Sequence, residues 1–219
     1  MPLRRRLAAG LIASTLLLFP VLSHTQSQTA EKPEGQAETP VYNGDWWLTL
    51  GGWEQYGVVT GYEDCYASEY RGSVAFEKEA QTYIDDLNKY FLSDVSLRKQ
   101  PVSEALDAMR KSASDQSSPA TPDSAKSAHG EYDGKFWFDA DPAAELGFVE
   151  GYLACHSAKL KDADAKFSKA PSEYVDLINK AYNITDDTDD VDADKAPWKI
   201  ADVLHKLKDA DSAAPKPAR

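Results

Sequence analysis

The amino-acid sequence predicts an all-α protein, built from two tandem homologous three-helix units that pack about a pseudo-twofold axis. Three observations favour this fold. Apolar residues recur at the 3,4 spacing of helices, runs of alternating apolar and polar residues are nearly lacking, and the chain resembles itself at an offset of 90 residues. With 42% hydrophobic residues, five Trp, eleven Tyr and seven Phe, the chain has enough apolar surface to form a core.

Residues 1–30 have the composition of a secretory signal peptide and its processing region. Three arginines at 4–6 precede an apolar run from Leu7 to Leu22, and cleavage sites follow near Ser23 and Ser27. The run is short for a bilayer and no second run follows, although a retained N-terminal anchor is the alternative. We therefore expect export to the periplasm or the extracellular space, no membrane association after cleavage, and a disordered leader at 31–41.

The internal repeat defines two units, residues 42–110 and 132–211. Between residues 42–66 and 132–156, eight of 25 aligned positions are identical, and they include three glycines, a tryptophan and a cysteine. The similarity continues further along, where residues 83–89 resemble residues 174–180 at an offset of 91. Such coincidences of rare residue types indicate a duplication rather than two unrelated helical stretches.

Each unit is predicted to contain three helices, on the evidence of apolar periodicity and of prolines near helix starts. The stretch 111–131, which is rich in Ser, Ala, Asp and Pro, is predicted to be a flexible linker, and residues 212–219 a disordered tail. The predicted helices lie around Tyr56–Tyr66, from Phe76 to Phe91 and from Val102 to Met109 in the first unit, and from Pro142 to His156, from Pro171 to Tyr182 and from Ile200 to Leu207 in the second.

The first helix of each unit carries a stripe of small residues. Gly57, Gly61 and Cys65 follow one another at a spacing of four residues, and the second unit repeats the spacing at Gly147, Gly151 and Cys155. Residues four apart lie on one side of a helix. Because a helical glycine costs about 1 kcal/mol relative to alanine, we interpret the glycines as sites where another helix approaches closely. The alternative is inherited sequence with no special packing.

Cys65 and Cys155 are the two cysteines of the chain and occupy equivalent positions. Equivalent residues near a pseudo-twofold axis approach each other, so we predict a disulfide between them, worth about 4–5 kcal/mol in the chain-entropy model. An intermolecular bridge and two free thiols are the alternatives. If the helices cross antiparallel at the cysteines, the glycines lie away from the crossing.

The composition excludes several functions. The formal net charge of −12 disfavours a nucleic-acid surface, which needs clustered Lys and Arg. The four histidines, His24, His129, His156 and His205, lack the spacing of a zinc site, and we find no phosphate-binding loop and no nucleophile elbow. The neighbours Cys155 and His156 point about 100° apart on a helix, which disfavours thiol catalysis. We therefore predict no cofactor and no catalytic residue.

An acidic run at 186–194 resembles a calcium-binding loop only in part. Counted from Asp190, its sixth position is Lys195 where such loops have Gly, and its twelfth is Ala201 where they have Glu. A solvated loop is the default interpretation, and weak binding of a divalent cation stays open.

The segments Gly57–Cys65 and Gly147–Cys155 resemble the signature helix of the Tai-type immunity proteins. Those proteins are small, exported, helical and disulfide-bearing, and they block peptidoglycan amidases that type VI secretion delivers. The resemblance covers one helix per unit. It implies a related helical fold and a toxin-neutralising role.

We expect an exported, non-enzymatic binding or interaction protein, such as an inhibitor or immunity protein against a cell-wall enzyme. Trp and Tyr are enriched at interfaces, so some of the aromatic residues named below are candidate anchors, although most of them are expected to fill the core. The alternatives are an enzyme that uses carboxylates, which we expect to be solvated, and a structural or stress-response protein. The partner and the oligomeric state are not predicted. The candidate anchors are Trp46, Trp47, Trp53, Tyr66 and Tyr70, and the candidate carboxylates are Glu63, Asp64 and Glu150.

Overall fold

Helices form all of the regular secondary structure in the described residues, so the predicted all-α class is confirmed there. The computed structural model describes residues 41–69, 76–116, 132–159, 167–185 and 187–213. In place of strands, this part of the chain has two isolated β-bridges, Asn43–Pro101 and Asp133–Lys199. The α-helices are α1 (Gly44–Trp47), α2 (Gly52–Glu69), α3 (Ala80–Ser93), α4 (Val102–Gln116), α5 (Gly134–Asp139), α6 (Pro142–Lys159), α7 (Pro171–Tyr182) and α8 (Ile200–Ala213), and a 3-10 helix spans Val95–Lys99.

A short helix that the sequence did not predict precedes the three predicted helices of each unit. These helices, α1 and α5, have four and six residues, too few to show a helical period. Each begins at a side-chain cap: Asn43 Oδ1 accepts a hydrogen bond from the Trp46 amide at 3.0 Å, and Asp133 Oδ1 accepts one from the Phe136 amide at 3.0 Å.

Several predicted boundaries shift. The second helix begins at Ala80 rather than at Phe76, because Phe76 lies in a non-helical segment that places its ring in the core. Helix α4 continues to Gln116, since neither Gly nor Pro interrupts it, so the first part of the predicted linker is helical. Helix α8 extends to Ala213. The predicted signal peptide and leader up to residue 40, the linker from 117, the tail from 214, and Tyr70 lie outside the described residues.

A buried tryptophan joins α1 to α3 in the first unit, and another joins α5 to α7 in the second unit. Trp47 Nε1 donates to Asn88 Oδ1 at 2.8 Å, and Trp137 Nε1 donates to Asn179 Oδ1 at 2.7 Å. In the first unit Gln55 Nε2 also donates to Asn88 Oδ1, at 3.2 Å. Trp47 and Trp137, which lie 90 residues apart, thus make the same kind of contact.

A chain of three aromatic rings packs α2 on α3 and α6 on α7. In the first unit the centroids of Tyr62 and Phe76 lie 5.9 Å apart, and those of Phe76 and Tyr83 lie 5.2 Å apart. In the second unit Tyr152, Phe167 and Tyr174 are spaced at 6.1 and 5.2 Å. All of these pairs meet edge to face, the favoured arrangement for aromatic rings.

The last helix of each unit is tied back to the start of that unit. The Val102 amide donates to the Tyr42 carbonyl at 2.9 Å, and the Ile200 amide donates to the Tyr132 carbonyl at 2.9 Å. All described residues, from both repeats, belong to one compact body that spans Pro40–Arg219. Of its described helices, none is both long and apolar enough to span a bilayer.

The polar contact at Asn179 generates a prediction, because Glu145 replaces the Gln55 of the first unit. Burial raises the pKa of Glu145 to about 7, although its hydrogen bond from Asn179 opposes this rise. The unfolded chain ionises near the usual 4.5 while the folded chain keeps its proton, so the free energy of unfolding falls as the pH rises from 4.5 to 7. We expect Glu145→Gln to make this fall smaller in urea titrations across that range, since Glu63 and Glu150 contribute to it as well.

The first unit offers the matched control. Gln55→Glu places a carboxyl beside Asn88 and is expected to introduce a new fall in stability with rising pH. A Glu145→Gln variant whose pH profile equals that of the parent chain would contradict the assignment.

Candidate functional site

The four predicted glycines lie where α2 and α6 touch backbone to backbone. A Cβ on Gly57 would lie closer than 3.0 Å to the Ala144 carbonyl, and a Cβ on Gly147 would lie equally close to the backbone of Glu54. One helical turn further along, Gly61 of α2 faces the backbone of Phe148 of α6 in the same way. Real Cβ atoms do not approach other atoms this closely, so a side chain at any of these positions would force the two backbones apart.

The two helices run parallel, because residue numbers rise together along the contact. Gly147 meets Glu54, and one turn later Gly151 meets Val58. One further turn along, Cys65 and Cys155 form the predicted disulfide, with their Cα atoms 6.2 Å apart and both residues fully buried. Glycines and cysteines therefore share one contact, and the antiparallel crossing that would separate them does not occur.

Glu63 and Asp64 are buried, so the expectation that these carboxylates are solvated is wrong. Each is 1% exposed. The Tyr132 hydroxyl donates to Glu63 Oε2 at 2.8 Å, and the Tyr132 amide donates to Asp64 Oδ1 at 3.2 Å. The sequence could not show this, because Tyr132 follows the linker and lies nearly 70 residues away. The two acids therefore fix the start of the second unit to α2.

Burial raises the pKa of Glu63 to about 8, the hydrogen bond from Tyr132 lowers it, and the charges of Glu79 and Asp64 raise it further. The carboxyl group therefore carries its proton at neutral pH. In the second unit the equivalent positions are Leu153 and Ala154, so the buried acids belong to the first unit alone. Glu63 keeps its proton, both carboxyl groups bind Tyr132, and the cluster is buried. We call these three residues the latch, because their role is to hold the start of the second unit against α2.

Glu150, the third candidate carboxylate, is partly buried. Burial raises its pKa to about 7, and the nearby charge of Glu54 adds to the rise. It lies on α6 across from the start of α2, apart from the Tyr132 contact.

The two described histidines do not form a site with a cysteine. The Cys155 thiol is consumed in the disulfide. His156 is 5% exposed and packs edge-on against Phe167, with ring centroids 4.8 Å apart. Burial and then the charge of Lys208 lower the pKa of His156 to about 4, so its ring is neutral. His205 lies 3.1 Å from a carboxylate oxygen of Glu69. No group of three metal-ligating side chains occurs among the described residues, the acidic run included as far as it is described.

The candidate aromatic anchors divide into core and surface. Trp47 is fully buried, Tyr66 is nearly so, and Trp46 packs half-buried against the core. Trp53 is 61% exposed. A further exposed tryptophan, Trp198, was not singled out from the sequence. The sequence held one indication of its exposure: Trp198 aligns with Gln100 of the first unit, and a polar residue at that position is typical of the surface.

No family model, curated protein or solved structure matches this chain.

The helix contact predicts a strong effect of a single methyl group. Gly61→Ala forces a Cβ into the Phe148 backbone, which no side-chain rotation can relieve. We expect urea unfolding to show a loss of about 2 kcal/mol or more, despite the better helix propensity of alanine. Gly52→Ala is the control, because a Cβ there meets no atom within 4 Å. Equal stability of the two variants would refute the close contact.

The raised pKa of Glu63 predicts that stability falls as the pH rises from 4.5 to about 8, because the unfolded carboxyl ionises first. Glu63→Gln should remove the part of this fall that lies between pH 7 and 8, as measured by chemical denaturation. Tyr132→Phe removes the hydroxyl that lowers the pKa, and should extend the fall to higher pH. Profiles that both variants leave unchanged would argue against a protonated Glu63.

Proposed function

We propose that this chain is an exported, non-enzymatic binding protein that inhibits an enzyme of the cell wall, and that it docks through the end of the molecule that carries Trp53. Three lines of support lead to this proposal: a comparison of the two units, the charge of the chain, and the resemblance of its paired helices to a known class of inhibitor.

The observation that carries the proposal is the contrast between buried and exposed tryptophans. The buried Trp47 has its counterpart in Trp137, as a residue required by the shared fold should. The exposed Trp53 aligns with Ala143. Because the second unit has alanine at this position, the fold itself does not need a tryptophan there. Large exposed aromatic residues are frequent anchors of interfaces.

Two further exposed apolar residues lie at the same end of the first unit. Helices α2 and α3 are antiparallel, since Gln55 contacts Asn88 while Tyr62 lies nearer the start of α3. The start of α2 and the end of α3 are therefore neighbours. Leu92 is 62% exposed and Val95 is 69% exposed. We call Trp53, Leu92 and Val95 the Trp53 surface; Leu92 aligns with the polar Asn183 of the second unit.

The charge of the chain favours a basic partner. Thirty-six acidic residues outnumber 24 basic ones. An acidic protein is attracted to a positively charged surface, and complementary charge speeds association. An enzyme that acts on an anionic wall polymer has use for such a positive surface. The resemblance of α2 and α6 to the signature helix of Tai-type immunity proteins supports an amidase as the partner.

We also propose that the two units are related by a pseudo-twofold axis between α2 and α6 and that the disulfide forms on export. The reciprocal glycine contacts support the axis, since Gly57 meets Ala144 while Gly147 meets Glu54, at a constant offset of 90. The disulfide supports export, because such bonds persist in oxidising compartments.

The enzyme alternative receives less support from two of the three carboxylates that it would use. Glu63 and Asp64 are buried at 1% exposure, and Tyr132 donates a hydrogen bond to one oxygen of each. A general acid or base needs contact with its substrate.

The test is inhibition of purified peptidoglycan amidases by the disulfide-bonded protein, with release of soluble wall fragments as the readout. We expect potent inhibition of at least one amidase and an inhibition constant at least tenfold weaker for Trp53→Ala, which installs the alanine of the second unit. Trp198→Gln is the matched control, since it also removes an exposed tryptophan and should inhibit like the parent chain.

The outcomes separate the parts of the proposal. Inhibition that Trp53→Ala leaves intact would refute the Trp53 surface. Failure to inhibit any amidase of the panel would refute the proposed target, and release of wall fragments by this protein alone would favour the enzyme alternative.

A further inference from the structure

We propose that Trp198, Lys195 and Lys206 form a binding site for an acidic saccharide, a pyranose ring that carries a carboxylate. This site lies on the second unit. It does not rest on the proposed inhibition of an enzyme, which uses the Trp53 surface of the first unit.

The geometry combines a flat apolar face with two cations. Trp198 is 42% exposed. The Nζ atom of Lys195 lies 5.7 Å from the centroid of its ring, and that of Lys206 lies 5.3 Å away. Among the described residues neither ammonium group lies in an ion pair, although Asp202 precedes Lys206 by one helical turn. Both charges are therefore available to a ligand that covers the indole.

Hydrogen bonds hold the backbone of Trp198 in place. The Trp198 carbonyl accepts hydrogen bonds from the Tyr182 hydroxyl at 2.8 Å and from the Gly134 amide at 3.1 Å, and the Trp198 amide donates to the Lys195 carbonyl at 2.8 Å. Lys206 projects from the regular helix α8. A ligand that binds here finds the backbone beneath its platform already ordered, which reduces the entropic cost of binding.

The first unit shows that the fold does not need this tryptophan. Gln100 occupies the equivalent position, and its carbonyl accepts the same hydrogen bond, from the Gly44 amide at 3.2 Å. The Gln100 side chain is engaged within the protein, where its Oε1 accepts from the Tyr90 hydroxyl. In the second unit Ala181 occupies the position of Tyr90, and the exposed Trp198 occupies the position of Gln100. The hydrogen bond between the side chains of Tyr90 and Gln100 therefore has no equivalent there.

The arrangement selects the ligand by two requirements. An aromatic face binds a partner with a flat apolar side, as a sugar ring has. The two ammonium groups, which lie within 6 Å of the centroid of that ring, bind an anionic group of the ligand through charge-assisted hydrogen bonds. The net charge of −12 repels long polyanions such as nucleic acids, so a short acidic saccharide fits better.

The test compares N-acetylmuramic acid with N-acetylglucosamine, which has the same ring but lacks the carboxylate. In two-dimensional NMR spectra of the purified disulfide-bonded protein, the indole N–H signal of Trp198 is identified by its loss in Trp198→Gln. We expect N-acetylmuramic acid to shift this signal saturably at a concentration at least tenfold lower than N-acetylglucosamine requires. Added 0.5 M salt should weaken the binding of the acid, because it screens the lysines.

Two controls complete the design. The double variant Lys195→Ala with Lys206→Ala keeps the indole and should abolish the preference for the acidic sugar. The Trp53 indole signal should stay unchanged throughout. Equal response to the two sugars, no response at 20 mM, or a preference that persists in the double variant would overturn the proposal. So would stronger binding of a short glutamate peptide than of N-acetylmuramic acid at the same signal, which would assign the site to acidic peptides.

Discussion

The rest of the structure depends on the contact between the backbones of α2 and α6. At two successive levels each helix presents a glycine to the backbone of the other, so no side chain separates them. This approach sets the direction of both helices and brings Cys65 within bonding distance of Cys155 one turn further on. The remaining helices of each unit then pack around this pair, through the ring chains of Tyr62 and Tyr152.

The energetics of the contact explain why a disulfide accompanies it. Four helical glycines cost about 4 kcal/mol relative to alanine, at about 1 kcal/mol each. A disulfide that closes a loop of 90 residues contributes about 4–5 kcal/mol in the chain-entropy model, which is comparable. The buried latch of Glu63, Asp64 and Tyr132 adds a second link between α2 and the second unit. Because the Glu63 carboxyl group stays protonated near neutral pH, Glu63 avoids the cost of a buried unpaired charge.

Sequence patterns predicted the features that follow a helical period and missed those that do not. The longer helices and the two glycine stripes were readable because they follow a helical period. The cysteine pairing was readable because the two cysteines continue those stripes. The short helices α1 and α5 escaped because a single turn has no period. Glu63 and Asp64 were expected in solvent, since nothing local announces that Tyr132 folds back over them. Trp198 was missed because its exposure and its flanking lysines come from a loop and from α8, which meet only in the folded chain.

Hydrogen exchange tests the central role of the α2–α6 contact most directly. Amide exchange rates measured residue by residue, with the disulfide intact and again after its reduction, report which helices open together. If the backbone contact organises the fold, the amides of α2 and α6 around Gly61 and Gly151 are the slowest of the molecule and share one opening free energy in both redox states. Faster exchange in either helix than in α3 or α7, or separate opening free energies for α2 and α6, would contradict the account.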